Sequence, residues 1–194
     1  MRTLLAAACA GVVAIGAGVT APTSHAEGET EPTTEAAEVV NDIGNYLLPA
    51  IAKYRKARWR WERLMGVRRT PGYRAAERTN DPARRLRILK AWKAKAAKRR
   101  RQALHPPRLT AWLCIHRHER NPRQGWATAT GNGFYGGLQM DISFQRTYGR
   151  DLLRRKGTAN RWTALEQIWV AERAYRSGRG FHPWPSTARS CGLI

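Results

Sequence analysis

The sequence predicts two units: a basic α-helical hairpin and, after it, a mainly α C-terminal domain of the α+β type. Three observations support this division of the 194 residues. Apolar residues recur at spacings of three and four within residues 43–65, which is the period of an α-helix. Positive charge is concentrated within residues 43–104, whereas residues 105–194 are richer in Gly and hold two cysteines. We therefore expect a small, stapled C-terminal domain that follows a charged helical unit.

The N-terminal residues 1–26 have the three parts of a secretory signal peptide. Arg2 supplies a positive start, residues 4–19 are small or apolar, and Ala26 ends a small-residue cleavage site. The apolar run is shorter than the roughly 20 residues that a membrane-spanning helix needs, which disfavours the alternative of an uncleaved anchor. Residues 27–42 hold six acids and no base, which predicts a disordered linker. The sequence thus predicts export, with cleavage after Ala26.

Two helices are expected within residues 43–104. Pro49 suits the first turn of one helix, and Gly66 suits its C-terminal end. A connection that contains Pro and Gly follows, and Asp81 then precedes a proline, which matches an N-cap with Pro at the first helical position. The second helix should end near Leu104, because two prolines come soon after it. Two helices joined by a loop predict a helical hairpin.

This hairpin carries most of the formal net charge of +21. Residues 44–108 hold 21 Lys or Arg and three acids, so internal ion pairs cannot balance the charge. A surface of this kind attracts polyanions. For an exported protein the favoured partners are anionic wall polymers or the envelope surface, followed by a membrane surface. Nucleic acid is the least favoured partner, although Trp59, Trp61 and Trp92 lie among the cations.

Cys114 and Cys191 remain when the signal peptide is removed with Cys9. An even pair of cysteines in an exported protein predicts a disulfide. A metal site is the alternative, because Cys114, His116 and His118 are all possible ligands. Residues two apart on a helix point to nearly opposite sides, so these three side chains should not converge. We expect no metal ion and no cofactor.

Glu119 is the candidate catalytic residue of the C-terminal domain. Residues 109–120 are predicted to form a helix, on which Trp112, His116 and Glu119 share one face. The carboxyl group then lies on the core-facing side of the last turn. A carboxylic acid in such a place can protonate the oxygen that leaves when a glycosidic bond breaks. A surface glutamate at a helix end is the alternative, and position alone does not exclude it.

A Gly-rich loop, residues 125–139, follows Glu119 in the sequence. Trp126, Phe134 and Tyr135 offer flat faces that suit sugar rings, and Gly137 allows the backbone to approach a bound chain closely. Asn132 and the glycine after it are a turn signal. These features by themselves predict a Gly-rich loop and do not identify a sugar-binding site.

The segment TGNGFYGGLQ, from Thr130 to Gln139, resembles the TGNGYYGGLQ segment of resuscitation-promoting factors. The resemblance extends over residues 109–194 and includes a closing Trp-Pro pair and a Cys-containing end. It implies the lysozyme-like fold of the transglycosylase-like domain. It also implies that Glu119 is catalytic and that Thr130 and Gln139 hydrogen-bond the sugar chain. These relatives cleave peptidoglycan.

The chain departs from this family beside the catalytic residue. His118 precedes Glu119 where the family has Cys, and the nearest Cys here is Cys114. The segment from Arg120 to Gly125 is longer and more basic than the Ser-Gly-Gly of the family. The staple and the subsite for the leaving sugar are therefore expected to be arranged differently.

No second catalytic carboxylate is evident in the C-terminal domain. Each remaining acid has a structural role: Asp141 as an N-cap, Glu166 in a capping box with Thr163, Glu172 paired with Arg176, and Asp151 paired with Arg154 or Arg155. A glycosidase normally uses two carboxylates, so a single one favours a lytic transglycosylase. Hydrolysis by a water activated at Glu119 is the alternative mechanism.

The sequence therefore predicts a secreted, wall-associated enzyme that cleaves the bond between N-acetylmuramic acid and N-acetylglucosamine in peptidoglycan. A non-catalytic peptidoglycan-binding protein, anchored by the basic helices, is the alternative. A membrane-active or nucleic-acid-binding protein is a second rival. Glycan strands are the predicted substrate, the basic residues 44–108 are predicted to bind anionic wall polymers, and a cell-wall peptidase is a further candidate partner.

Overall fold

The computed structural model describes residues 34–72 and 78–194, with side chains from residue 46 onward. The predicted signal peptide and the start of the predicted linker lie outside the described residues. Seven α-helices occur in this part of the chain: α1 Thr34–Met65, α2 Pro82–Leu104, α3 Leu109–Glu119, α4 Ile142–Tyr148, α5 Arg150–Lys156, α6 Ala164–Ala174 and α7 Pro185–Ser190. Within the described residues, no helix is both long and apolar enough to cross a membrane.

Helices α1 and α2 form the two predicted basic helices, and we call them the helix pair. α1 begins earlier than expected and takes in residues 34–42 of the predicted linker, which contain neither Gly nor Pro and are therefore compatible with a helix. Pro49 lies inside α1 rather than in its first turn. α2 has the predicted bounds, and its N-cap Asp81 accepts a hydrogen bond from the Ala83 amide at 2.9 Å.

The two helices run parallel, which differs from the antiparallel arrangement of a hairpin. The Arg58 guanidinium lies 6.0 Å from the ring centre of Trp92. One turn further along both helices, Arg99 Nε lies 3.2 Å from Glu62 Oε1. Residue numbers thus increase together along the interface. Residues 66–72 of the connection return along α1: Trp59 Nε1 donates to the Thr70 carbonyl at 2.8 Å, and Gly72 faces Trp59 and Arg55.

Glu62 holds the returning segment and both helices together. Its side chain is fully buried and accepts hydrogen bonds from Arg58 at 2.7 Å and from the Thr70 hydroxyl at 2.6 Å. The Thr70 amide donates to the other carboxylate oxygen at 2.9 Å. Burial alone would raise the pKa of Glu62, but the hydrogen bonds from Thr70 and Arg58 outweigh it and lower the pKa below 4.5. The carboxylate therefore stays charged, with charged and polar partners that compensate for its burial.

The helix pair packs directly on the C-terminal domain through α6. Trp169 is buried with Met65 and Ala103, and its indole Nε1 donates to the Ala103 carbonyl at 2.8 Å. Arg173 and Arg176 donate to the carbonyls of the last turn of α1, with Arg173 Nη1 2.8 Å from the Leu64 oxygen. These contacts satisfy carbonyl groups that a helix C-terminus leaves without intrahelical partners. The two units are thus joined by buried and hydrogen-bonded contacts.

Trp112 lies at the centre of the C-terminal core, with no exposed surface. Its ring packs edge-to-face on Trp184, with ring centres 5.3 Å apart. Its Nε1 donates at 2.8 Å to the buried carboxylate of Glu172, which also accepts from Arg108 at 2.8 Å. The predicted side-chain pair of Glu172 with Arg176 does not form, because Glu172 faces the core and Arg176 donates to backbone oxygens instead.

The predicted disulfide between Cys114 and Cys191 is confirmed, with a Cα–Cα distance of 6.1 Å. It joins α3 to the residue that follows α7 and closes a loop of 77 residues. The domain is mainly α, as predicted, with one two-stranded antiparallel sheet. Its strands are β1 Phe134–Tyr135 and β2 Met140–Asp141, with Tyr135 opposite Met140. The disulfide is attached to the middle of α3, at Cys114.

Candidate active site

Glu119 is the last residue of α3 and lines a cleft of about 230 Å³. Three segments of the chain meet there: the end of α3, the Gly-rich loop, and the start of α7. The lining residues are Glu119, Asn132, Phe134, Gln139 and residues 183–187. Among them, Glu119 is the one carboxylate. α3 packs on the core with the predicted face. Trp112, Ile115 and His116 on that face are buried, and Glu119 at its end is half-buried.

Thr187 positions the Glu119 carboxyl group. The Thr187 hydroxyl, which lies on α7 and is buried, donates a hydrogen bond to Glu119 Oε1. α7 is held to α3 by the disulfide, whose Cys191 directly follows that helix. The two ends of this contact are 68 residues apart in sequence, so sequence reasoning did not identify Thr187 as a site residue. Its only signal was its place in the closing segment that resembles the family.

Gln139 is fixed in the cleft by the turn that joins β1 to β2. Its backbone has φ of 47°, in the left-handed region that non-glycine residues seldom adopt. Both its amide nitrogens donate to the Gly136 carbonyl, the backbone N at 3.1 Å and the side-chain Nε2 at 2.8 Å. Trp184 Nε1 holds the adjacent Leu138 carbonyl at 2.6 Å. This turn therefore holds Gln139 in a strained conformation at the cleft, which is characteristic of a functional position.

The expected turn at Asn132 returns the chain before β1. Ala129 pairs with Tyr135 in an antiparallel bridge, and Asn132 Oδ1 accepts from the Phe134 amide at 3.1 Å. This turn places Asn132 and the exposed ring of Phe134 at the cleft. Phe134 was among the rings expected to offer a flat face to sugar, whereas Asn132 was expected only as part of a turn.

The other predicted substrate-binding residues do not line this cleft. Thr130 is exposed, and Tyr135 is half-buried and packs against the core. The Trp126 ring stacks on His116, with ring centres 3.8 Å apart and planes 8° apart. Gly137 lies against this stack, where an added Cβ would collide with the His116 ring. Substrate binding by Thr130, Trp126, Tyr135 and Gly137 stays a prediction, and for Gly137 the close packing on His116 already accounts for the glycine.

His116 is buried and neutral beneath the Gly-rich loop. Its Nδ1 lies 3.0 Å from the Gly137 carbonyl oxygen, so Nδ1 carries the proton. Burial lowers the pKa of His116 below its ordinary 6.5; the Gly137 hydrogen bond opposes this, and the charge of Arg120 adds to it. Protonation of the ring would place a charge under the loop that carries Gln139.

We expect the stability of the protein to fall as pH drops below 6.5, because the unfolded chain then binds a proton at His116 that the folded chain disfavours. The contribution of neutral His116 to the free energy of unfolding is fully present above pH 6.5 and is lost progressively below it. Thermal unfolding of the wild type and of His116→Asn, which keeps a neutral donor, tests this between about pH 7 and pH 5. The variant should lose this pH dependence, whereas His182→Asn, at an exposed histidine, should keep it. An unchanged slope in His116→Asn would exclude His116 as its source.

The Arg120–Gly125 segment, where the chain departs from its relatives, forms a compact turn. The Asn121 amide donates to the Thr128 hydroxyl at 3.0 Å, and the Gly125 amide donates to the Asn121 carbonyl at 2.9 Å. Gln124 Oε1 accepts from the Ala129 amide at 3.0 Å. None of these residues lines the cleft. The longer segment is thus accommodated beside Glu119 and does not fill the cleft.

The remaining acids of the C-terminal domain are engaged elsewhere. Asp141 caps α4, accepting from the Phe144 amide at 2.7 Å, and Glu166 forms the predicted capping box with Thr163. Asp151 pairs with Arg155 at 2.8 Å, as predicted. Together with the buried Glu172, these contacts leave Glu119 as the carboxylate that faces the cleft.

His118 lies next to the disulfide. One ligand atom from each of Cys114, His118 and Cys191 falls within 4.8 Å of the others. The two sulfur atoms are bonded to each other, however, and a disulfide offers no thiolate to a metal ion. The arrangement therefore acts as a structural staple next to the candidate active site.

Comparison with known proteins finds similarities in the C-terminal domain. Residues 110–187 match the family model described as Transglycosylase-like domain. A segment of 68 residues is 41% identical to the resuscitation-promoting factor Rpf1 of Corynebacterium glutamicum, covering 35% of this chain and 34% of that protein. The matched segment thus spans about a third of the length of this relative. No solved structure matches the chain.

Proposed function

We propose that the protein is an exported lytic transglycosylase of peptidoglycan, because residues 110–187 match the model of a transglycosylase-like domain and part of the chain is similar to a resuscitation-promoting factor. The observation that carries the proposal is the presence of one carboxylate, Glu119, in a cleft that also holds Gln139. The predicted signal peptide and the disulfide support export, since disulfides persist in oxidising compartments.

In the proposed reaction Glu119 acts first as an acid and then as a base. Its carboxyl proton passes to the glycosidic oxygen as the bond between N-acetylmuramic acid and N-acetylglucosamine breaks. The resulting carboxylate takes the proton of the C6 hydroxyl of the same muramic acid, whose oxygen closes on C1. The product is a 1,6-anhydro sugar, and no water is consumed. The substrate supplies the nucleophile, so a second carboxylate is not required.

Thr187 supports both steps through a single contact. Its hydroxyl donates to Glu119 Oε1, so that the other carboxylate oxygen, Oε2, is left to carry the transferred proton. The same hydrogen bond stabilises the charged carboxylate between the two steps. Gln139 provides an amide across the cleft that can orient the sugar chain.

The products of the reaction test the proposal. Purified protein is incubated with isolated peptidoglycan, and the released muropeptides are analysed by mass spectrometry. We expect ends with the mass of 1,6-anhydro-muramic acid. Reducing ends, which are heavier by one water, would instead indicate that Glu119 activates a water and that the bond is hydrolysed. Binding to peptidoglycan without release of any fragment would favour a non-catalytic binding protein and overturn the proposal.

The exposed cations of the helix pair are proposed to hold the protein at an anionic wall. On α2, these are Arg84, Arg87, Lys90, Lys93, Lys95, Lys98, Arg100 and Arg101. Attraction of this kind is screened by salt. Retention on isolated cell walls should therefore decrease as salt is added, whereas cleavage of soluble glycan fragments should change little.

A further inference from the structure

A second cavity, of about 720 Å³, lies between the helix pair and the C-terminal domain. It is bounded by the last turns of α1, the turn from α4 to α5, and the first turn of α6. It shares no lining residue with the Glu119 cleft. Its volume falls within the range of pockets that bind small ligands, roughly 300–1,000 Å³.

The walls of this cavity carry an excess of positive charge. Six cations line it: Arg60, Arg63, Arg150, Arg155, Lys156 and Arg173. Two acids also line it, and both are already paired, Asp151 with Arg155 at 2.8 Å and Glu166 with Lys156 at 2.7 Å. The remaining arginines have no carboxylate within ion-pair distance among the described residues. Asp151 also interacts electrostatically with Arg63 and Arg173. With six cations and two acids, the cavity wall keeps an excess of positive charge.

Arg173 is the most enclosed of these groups. Its Nε donates to the Tyr148 carbonyl at 2.6 Å and its Nη1 to the Leu64 carbonyl at 2.8 Å, which fixes the guanidinium at the cavity wall. Burial, reinforced by the neighbouring charge of Arg176, lowers the pKa of Arg173 to about 10. Its positive charge is thus poorly solvated, and an anion bound in the cavity would stabilise it.

The same cavity has an apolar surface. Trp61, Leu64, Leu152 and Leu165 line it together with the ring of Tyr148. A small inorganic anion or a polyol polymer would leave this surface without an apolar partner. A ligand with a negative headgroup and a hydrocarbon chain would match both parts of the wall.

We propose that this cavity binds a phosphate-bearing amphiphile, with the phosphate among the arginines of the cavity wall and the hydrocarbon chain against Trp61, Leu64 and Leu165. Guanidinium groups suit phosphate because their paired N–H donors match two phosphate oxygens. The site is separate from the Glu119 cleft, so it does not depend on the proposed cleavage reaction. A phospholipid of a bilayer and a polyisoprenyl phosphate both offer this chemistry.

The test uses dodecyl phosphate below the concentration at which it forms micelles. Titration of the full chain, followed by calorimetry, should give one site. Arg63→Ser with Arg150→Ser should weaken binding by about tenfold or more, because two charge-assisted contacts are lost. The matched control, Arg84→Ser with Arg87→Ser, removes the same charge from exposed positions at the start of α2 and should change binding by less than about twofold. If both pairs of substitutions weaken binding equally, the overall positive charge of the surface accounts for the effect, and the proposal is overturned.

Two further ligands separate the headgroup from the chain. Dodecyl maltoside has the same chain without the charge, and inorganic phosphate has the charge without the chain. Either one binding as tightly as dodecyl phosphate would overturn the proposal. Phosphatidylcholine vesicles that contain either phosphatidylglycerol or a polyisoprenyl phosphate then show which of the two lipids is bound. The vesicles that carry the ligand should retain the wild-type protein but not the Arg63 and Arg150 variant. Retention on neither would exclude a lipid ligand. The Arg63 and Arg150 changes should leave the cleavage of soluble glycan fragments unaffected, because neither residue lines the Glu119 cleft.

Discussion

Replacing Glu119 with Gln should reduce the release of muropeptides by about 100- to 10,000-fold, the range that general acid–base catalysis contributes. Gln has nearly the same shape and its carbonyl oxygen can still accept from Thr187, so the cleft should keep its geometry. It cannot donate a proton to the glycosidic oxygen or remove one from the C6 hydroxyl. The rate of soluble muropeptide release, measured by mass spectrometry against an internal standard, gives the size of the effect.

Two controls make this result specific to Glu119. Asp151→Asn changes an exposed carboxylate of the same domain and should leave cleavage within about twofold of the wild type, since surface substitutions usually have small effects. Thermal unfolding should show that Glu119→Gln is as folded as the wild type. If Glu119→Gln cleaves peptidoglycan as fast as the wild type, Glu119 is not the acid and the proposed mechanism is wrong.

Local sequence patterns predicted those parts of the site that the chain builds from neighbouring residues. Trp112 and Glu119 lie on one face of α3 because helical spacing places them there. Gln139 was identified from a contiguous segment, and the structure places it in the cleft with Glu119. Caps such as Asp141 and the Thr163–Glu166 box were also recognisable, because their hydrogen bonds span only three residues.

Contacts between distant segments were not predictable in the same way. The direction of α2 relative to α1 depends on which residues meet, and Arg99 pairs with Glu62 across 37 positions. Apolar periodicity identifies the buried face of a helix but contains no information about the direction of its partner. The stacking of Trp126 on His116, ten residues away, was likewise not predictable, because it depends on how the loop folds back over α3. Thr187 was missed for the same reason.

Removing the disulfide with Cys114→Ala and Cys191→Ala should lower the free energy of unfolding by about 4 kcal/mol, as expected for opening a loop of 77 residues. The C-terminal core is modest in size, so this loss is a large fraction of the stability of a small domain. Urea unfolding of the double variant and of the wild type, each with and without a thiol reductant, measures it. Reductant should destabilise the wild type and leave the variant unchanged; an equal effect on both would contradict the assignment.

The same change should also reduce cleavage at temperatures where the variant is still folded. The disulfide fixes α3 to the end of α7, and the Glu119–Thr187 hydrogen bond spans these two helices. Without the disulfide, that contact depends on core packing such as that of Trp112 on Trp184, and Trp112 lies about two helical turns before Glu119 on α3. A loss of about tenfold would correspond to 1.4 kcal/mol, comparable to one hydrogen bond to a charged group. Full activity in the folded variant would mean that the aromatic core alone positions Glu119, and that the disulfide contributes stability without positioning the catalytic residue.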